Sequence, residues 1–218
     1  AVEAALQVAK ETGADVTAIT LGKEEETEAL KHALAMGCSE AVLVSDPAFE
    51  DADAAAAARA LAAAIQKVDD VGLVFLGKQA IDSDTGTTAS AVARLLGWPA
   101  MTLAASIDNV DADSIQVTRA MEEGRQVIKG SLPAVLSIVK DFGEPRYPSF
   151  MGIRKASRAK IPTWSLADLG IDAPDSAVDR IALMNPPERE VTTEIIEGDS
   201  PEDKAKKLAD KIMAEKVL

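Results

Sequence analysis

One cysteine and one histidine stand among 218 residues, and their scarcity excludes whole classes of chemistry. With Cys38 alone, no intramolecular disulfide forms, and neither a cysteine zinc site nor a cysteine-ligated iron–sulfur cluster fits. With His32 alone there is no multi-histidine metal centre, and a protease-style triad would have to recruit that one residue. Aromatic residues make up only 3%, so a core has to be built from Ala, Val, Leu and Ile. No apolar run approaches the ~20 residues that cross a membrane, and no charged-then-apolar signal segment opens the sequence. Acids outnumber bases 36 to 23, a net charge of −13 that argues against nucleic acid as a general partner. What is present is a 47% hydrophobic fraction, enough for the core of one large domain, or of one domain with an appendage. The expectation is a soluble protein of a reducing compartment, the cytoplasm, or the mitochondrial matrix in a eukaryote.

The first half alternates short apolar strands with helices. Residues 1–12 read as a helix stopped by Gly13, and the β-branched run 16–21 as a strand. A helix over 24–36 has acids first and Lys31 and His32 late, as the helix dipole favours. Strand 41–45 follows, then an Ala-rich helix capped by Asp53, strand 71–76, a polar loop, and a helix over 87–96. Wholly apolar strands separated by helices predict an α/β, doubly wound, mostly parallel sheet covered on both faces. After Pro99 the pattern becomes a meander, with strands at 102–108, 114–121 and 125–129, then a buried strand over 132–139. The stretch 144–160 is basic and punctuated by Pro and Gly, and 163–200 reads as mostly irregular. Ser200-Pro201 opens a last amphipathic helix, but 180–218 carries too little apolar surface for a core of its own. The expected division is a nucleotide-binding α/β domain over 1–161, which includes the meander and 144–160, and an extension over 162–218.

In an open parallel sheet, ligands bind beyond the carboxyl ends of the strands. The loop after Leu76 meets that description and leads into a helix. First-turn N–H groups and the hydroxyls of Thr85, Thr87 and Thr88 can hold a phosphate. Asp82 or Asp84 can receive a ribose hydroxyl, or cap the helix as in any strand–helix connection. The loop is neither a Walker loop nor a GxGxxG fingerprint. His32 reads as a solvated residue near a helix end, Cys38 as a small buried filler, and Glu122-Glu123 as a turn rather than an acid/base couple. No metal ligands and no catalytic residues stand out. In 144–160, Tyr147, Phe150, Met151 and Ile153 lie among Arg146, Arg154, Lys155, Arg158 and Lys160. That mixture fits either a docking loop for a protein partner or the start of a helix with a solvated basic face.

Several spaced motifs resemble the β subunit of electron transfer flavoprotein, from Ala1 to Leu218. They are Ala33-Leu34-Ala35-Met36-Gly37 and Gly77-Lys78-Gln79-Ala80-Ile81-Asp82-x-Asp84, followed by Val117-x-Arg119-x-x-Glu122-Glu123-Gly124-x-Gln126-x-Ile128. Leu132-Pro133-Ala134-Val135-Leu136-Ser137, Glu144-Pro145-Arg146-Tyr147 and Asp168-Leu169-Gly170 complete the ordered set. The resemblance implies an electron carrier, an α/β heterodimer whose FAD is held mainly by the α subunit. It would pass electrons from acyl-CoA dehydrogenase-type flavoenzymes to a quinone oxidoreductase, in the manner of fatty-acid oxidation. It further implies a nucleotide in this subunit, AMP in ordinary carriers or a second FAD in electron-bifurcating ones. The residues implied are Gly77, Gln79, Asp82, Asp84, Thr85, Gly86, Thr87 and Thr88. Tyr147, Phe150, Met151, Ile153, Arg154 and Lys155 match the family's recognition loop, and the last helix matches an arm on the α subunit. The resemblance also implies about 35–40 further residues ahead of Ala1, carrying the central first strand of the sheet.

Three departures qualify the match. AMP-binding members usually show Asn-Gln-Thr-Gly where this chain has Gly86-Thr87-Thr88-Ala89, so AMP and FAD both stay open, with Thr88 favouring AMP. Ala120 replaces the acidic residue common after the signature arginine, and Phe150 replaces a leucine. Two other classes compete. A universal-stress-type ATP-binding module would not need 145–218, and an ATP-pyrophosphatase would need a Ser-Gly-Gly-x-Asp-Ser loop that the sequence lacks.

Overall fold

The computed structural model describes residues 1–50, 52–173, 176–178, 181–188 and 193–215. Chain contacts divide it into Ala1–Arg180 and Ile181–Leu218. In the first unit, α1 (Val2–Thr12) ends at Gly13, whose φ of 76° lets its N–H turn back to the Ala9 carbonyl. β1 (Thr17–Leu21) leads through a 3-10 turn at Glu24–Glu26 into α2 (Thr27–Met36) and then β2 (Glu40–Val44). The helix expected over 24–36 is therefore split. The Glu26 carboxylate reaches back to accept the Lys23 N–H and tightens the first turn.

α3 (Ala54–Gln66) starts where the Asp53 carboxylate accepts the Ala56 N–H at 2.8 Å. Its Ala56, Ala58, Ala60, Ala62 and Ala64 are all buried, so most of its circumference is covered. Small side chains let it pack closely on α4 (Thr88–Leu96), which is how a chain so poor in aromatics fills its interior. β3 (Leu73–Gly77) precedes α4; β4 (Ala100–Val110), β5 (Ser114–Met121), β6 (Gly124–Ser131) and β7 (Ala134–Ile138) follow. α5 (Phe150–Ala156), β8 (Thr163–Trp164) and α6 (Leu166–Leu169) complete this unit's regular elements among the described residues.

The strands form the expected doubly wound, mostly parallel architecture. One sheet has the order β1-β2-β8 and the other β3-β7-β4-β5-β6. Of the pairings among described residues, β1–β2, β2–β8, β3–β7 and β4–β7 are parallel, and only β4–β5 and β5–β6 antiparallel. β1 and β3 lie in different sheets, yet Ile19 packs into the same apolar cluster as Val74 and Leu76, beneath Ala58 and Ile65 of α3. The predicted turn Glu122-Glu123 is a two-residue hairpin between the paired Met121 and Gly124, with Gly124 at φ 137°.

Two elements were not expected within 163–200. Thr163 and Trp164 add a strand to β2, and α6 follows, capped by Ser165 and Asp168 in reciprocal hydrogen bonds. This segment is tied down by Asp46, which accepts the Leu166 N–H, and by Lys67, which donates to the Asp168 carbonyl at 2.6 Å and stands over the Trp164 ring. In the second unit, α7 (Pro201–Ala214) begins at Ser200, whose hydroxyl accepts the Asp203 N–H. Leu208 and Ile212 share one face of α7 and are exposed, as is Met213, and none of its residues is buried. No described helix is long and apolar enough to cross a membrane.

Candidate nucleotide and docking sites

The loop after β3 starts at the carboxyl edge of the larger sheet. Gly77 pairs with Ile138, Ile138 with Ala104, Ala104 with Arg119 and Arg119 with Gln126, so one lateral row joins the loop to the signature residues. Lys78 donates its N–H to the Ile138 carbonyl at 3.0 Å, which anchors the loop's first residue. Asp84 stands at φ 52° and Gly86 at φ 59°. A Cβ on Gly86 would meet only the Gln79 side chain and the Lys78 carbonyl at 3.7–3.9 Å, so the glycine answers a left-handed backbone rather than a clash.

Neither carboxylate caps α4. Asp82 accepts the Ser83 N–H at 2.7 Å, and Asp84 accepts from the Gln79 amide. Thr87 occupies the cap position with no side-chain bond to the first turn, unlike Asp53 at α3. The loop residues Gly77, Gln79, Asp82, Asp84, Thr85, Gly86 and Thr87 are exposed, and Thr88 is half-buried. The loop thus combines a helix first turn with no side-chain cap, hydroxyls beside it and a locally fixed carboxylate, groups of the kind that can bind a phosphate. The loop forms an open shelf. An open hollow of about 410 Å³ lies elsewhere, lined by Arg59, Ala62, Gln66, Leu95, Ile171 and Asp172, and none of the loop residues contributes to it.

The signature residues form one structural unit. Leu103 sits at φ 62° in an irregularity of β4, a conformation that costs a leucine roughly 1–2 kcal/mol. Its N–H donates to the hydroxyl of Ser137, the buried polar residue of the core, at 2.9 Å. Next to it, the Thr102 carbonyl accepts from Arg119 Nε at 2.7 Å and the Thr102 hydroxyl from Arg119 Nη2 at 2.9 Å. Arg119 Nη1 donates to Gln126 at 3.0 Å. Val117 and Leu136 are fully buried in the adjacent core. The spacing of the motif is thus the spacing needed to pin a bulge across three strands.

The docking candidates gather on and before α5. Tyr147, Phe150, Met151 and Ile153 are exposed at 96, 80, 70 and 53%, and Arg154 and Lys155 are exposed beside them. Of the two readings open at sequence level, a helix has formed, and its apolar side chains lie in water together with its cations. Arg146 meets Glu3 of α1 through its N–H at 3.0 Å, Nε at 2.8 Å and Nη2 at 3.0 Å. Those bonds hold the Glu3 carboxyl down at about 2, and they in turn raise the Arg146 guanidinium. His32 is exposed and Cys38 buried, where burial raises its thiol. No cluster of described His, Cys, Asp and Glu could hold a metal.

The profile of the electron transfer flavoprotein domain matches residues 1–169. This chain belongs to the electron transfer flavoprotein β-subunit family. The electron transfer flavoprotein subunit beta of Thermoanaerobacterium thermosaccharolyticum is 34% identical over 93% of this chain and 79% of its own. Subunit CarD of the caffeyl-CoA reductase-Etf complex of Acetobacterium woodii is 42% identical over 78% of this chain and 65% of its own. Protein FixA of Azorhizobium caulinodans is 36% identical over 79% of this chain and 63% of its own. The chain thus spans about two thirds of the length of several curated relatives it matches. Family membership accounts for the ordered motifs; sequence reasoning missed the Glu3–Arg146 contact, because 143 positions separate its partners.

Proposed function

We propose that the chain is the β subunit of a heterodimeric flavoprotein electron carrier, taking electrons from acyl-CoA dehydrogenase-type flavoenzymes and delivering them towards a quinone oxidoreductase. The observation that carries this reading is α5, whose large apolar side chains stand in water beside cations on a chain of net charge −13. FAD, held mainly by the α subunit, supplies the electron chemistry when bound. This chain shapes the shelf and presents the docking helix, and none of its side chains acts as acid, base or nucleophile. Gly77, Gln79, Asp82, Asp84, Thr85, Gly86, Thr87 and Thr88 would hold AMP. The α4 N–H groups and threonine hydroxyls would take its phosphate and a loop carboxylate a ribose hydroxyl. Residues 162–218 would form the extension, with α7 laying its apolar face on the α subunit. Both partners meet in the cytoplasm, or in the mitochondrial matrix.

The 42% identity to a subunit of a caffeyl-CoA reductase-Etf complex favours a second reading, an electron-bifurcating assembly with a second FAD at the same loop. Denaturing the purified heterodimer and identifying what it releases decides between them. One FAD and one AMP is the expected result and two FAD the second reading; FAD alone would remove the loop from either role. Phe150→Ala is expected to weaken reduction by the dehydrogenase while flavin content stays at the wild-type level. Equal loss of both would overturn the docking role.

A further inference from the structure

We propose that Glu3 on α1 and Gly152 within α5 are positioning residues that hold the docking helix in one preset orientation, ready for a protein partner with an apolar pocket rimmed by carboxylates. The proposal rests on the docking reading above and asks what keeps that surface in shape. α5 has seven residues, too few to be stable as an isolated helix in water, so its order comes from tertiary contacts. Its large apolar side chains contribute little, because Phe150, Met151 and Ile153 point into solvent. The inner line of the helix is Gly152 and Ala156, four residues apart, with Ala156 only 3% exposed.

At Gly152 the helix backbone rests on the C-terminal part of α2. A Cβ added there would fall inside contact distance of the Ala35 carbonyl oxygen and 3.2 Å from its carbon. Both are backbone atoms and cannot step aside as a side-chain tip would. The glycine therefore sets how close α5 lies, and hence where Phe150 and Ile153 stand. The second anchor is upstream. Glu3 takes three hydrogen bonds from Arg146, one of them from its main-chain N–H, so it fixes the backbone that leads into α5. Ser149 then caps the helix through the Gly152 N–H at 3.0 Å. A surface fixed at both ends loses little conformational freedom on binding, and that is where preorganisation adds affinity. The exposed Arg154, Lys155, Arg158 and Lys160 give the partner's pocket its complementary sign.

The test uses the intact holo-heterodimer carrying Gly152→Ala, Glu3→Gln, Glu3→Asp or Phe150→Ala, with medium-chain acyl-CoA dehydrogenase and its acyl-CoA as electron donor. Gly152→Ala should raise the KM for the dehydrogenase roughly tenfold and Glu3→Gln about threefold, with kcat, flavin content and nucleotide content near wild type. Glu3→Asp should recover part of the loss. On the Phe150→Ala background Gly152→Ala should raise KM by less than it does alone, because part of its effect acts through Phe150. Amide exchange across 149–157 should speed up in Gly152→Ala and Glu3→Gln, and not in Phe150→Ala. If Phe150→Ala raises KM while Gly152→Ala and Glu3→Gln leave both KM and exchange unchanged, the positioning proposal falls and docking stands. If Phe150→Ala leaves KM unchanged, or the wild type accepts no electrons from this donor, the docking reading falls, and amide exchange still decides whether these residues hold α5.

Discussion

Replacing Ser137 by alanine removes one oxygen atom, and the effect should be far larger than its size. Ser137 is 3% exposed, and its hydroxyl receives the N–H of Leu103 at 2.9 Å. Leu103 is held at φ 62° within an irregular stretch of β4, where the regular ladder to β7 is interrupted between Met101 and Ala104. The hydroxyl thus stands in for the ladder bond that the bulge gave up. In Ser137→Ala a half-buried N–H loses its acceptor, at about 1–3 kcal/mol. Leu103 meanwhile keeps a backbone strain of about 1–2 kcal/mol with less to hold it there. For a chain of this length, about 1 kcal/mol corresponds to about 2–4 °C in Tm, so a fall of about 2–12 °C is expected by thermal denaturation. Amide exchange should report the same event locally, with the Leu103 N–H protected in the wild type and released in the variant. Leu103→Gly should relieve the strain and lessen the penalty of Ser137→Ala when the two are combined. A Tm within about 1 °C of wild type with Leu103 still protected would mean that Ser137 does not hold the bulge, and the structural account of the signature would fail with it.

Three further outcomes follow from the same geometry. Glu3 titrates near 2 in the folded chain against 4.5 for the free group, so its stabilisation is complete above 4.5 and is lost as pH falls towards 2. Because the Arg146 side chain is more than a third exposed, solvent screening holds the contribution to about 1–2 kcal/mol. Denaturant titrations of wild type and Glu3→Gln should differ at pH 7 and converge by pH 2; equal differences at both would refute the pair's role. Gly86→Val should reduce the nucleotide recovered with the heterodimer while costing about 1–2 kcal/mol of stability, since a β-branched residue is forced to positive φ; full retention would place the ligand elsewhere. Association with the dehydrogenase should weaken as salt is raised through the physiological range, where the Debye length is ~8 Å; a flat response would deny the cations around α5 a steering role.

The alternation of strands and helices was legible at β1, β2, β3 and β7 because each is five residues long and mostly apolar. Asp53 and Ser200 mark their helix starts in sequence and cap them in the structure. β8 escaped notice because two residues, Thr163 and Trp164, make no periodicity; only their pairing with Leu43 and Val44 makes them a strand. The helix expected over 24–36 opens with a 3-10 turn at Glu24–Glu26, where the Glu26 carboxylate accepts the Lys23 N–H, a contact that propensity does not weigh. At the loop after β3, residue types suggested phosphate chemistry, yet Asp82 and Asp84 read equally well as helix caps. Their partners, the Ser83 N–H and the Gln79 amide, show that neither carboxylate caps α4.

The motif residues are joined by structural hydrogen bonds. Arg119 is usually the residue type one would assign to a ligand, and here all three of its described hydrogen bonds go to Thr102 and Gln126. Gln126 lies directly across the hairpin from Arg119, and Thr102 precedes the strained Leu103 that Ser137 secures from β7. Each residue is needed because the others are present: without the bulge there is no carbonyl turned towards Arg119, and without Ser137 the bulge lacks its acceptor. The row that contains Arg119 and Gln126 continues through Ala104 and Ile138 to Gly77, the first residue of the candidate nucleotide loop. In the proposed carrier, where the cofactor supplies the chemistry, this chain contributes by where it holds its surfaces. Through that row, the bonds that pin the bulge also fix the sheet edge from which the candidate loop starts.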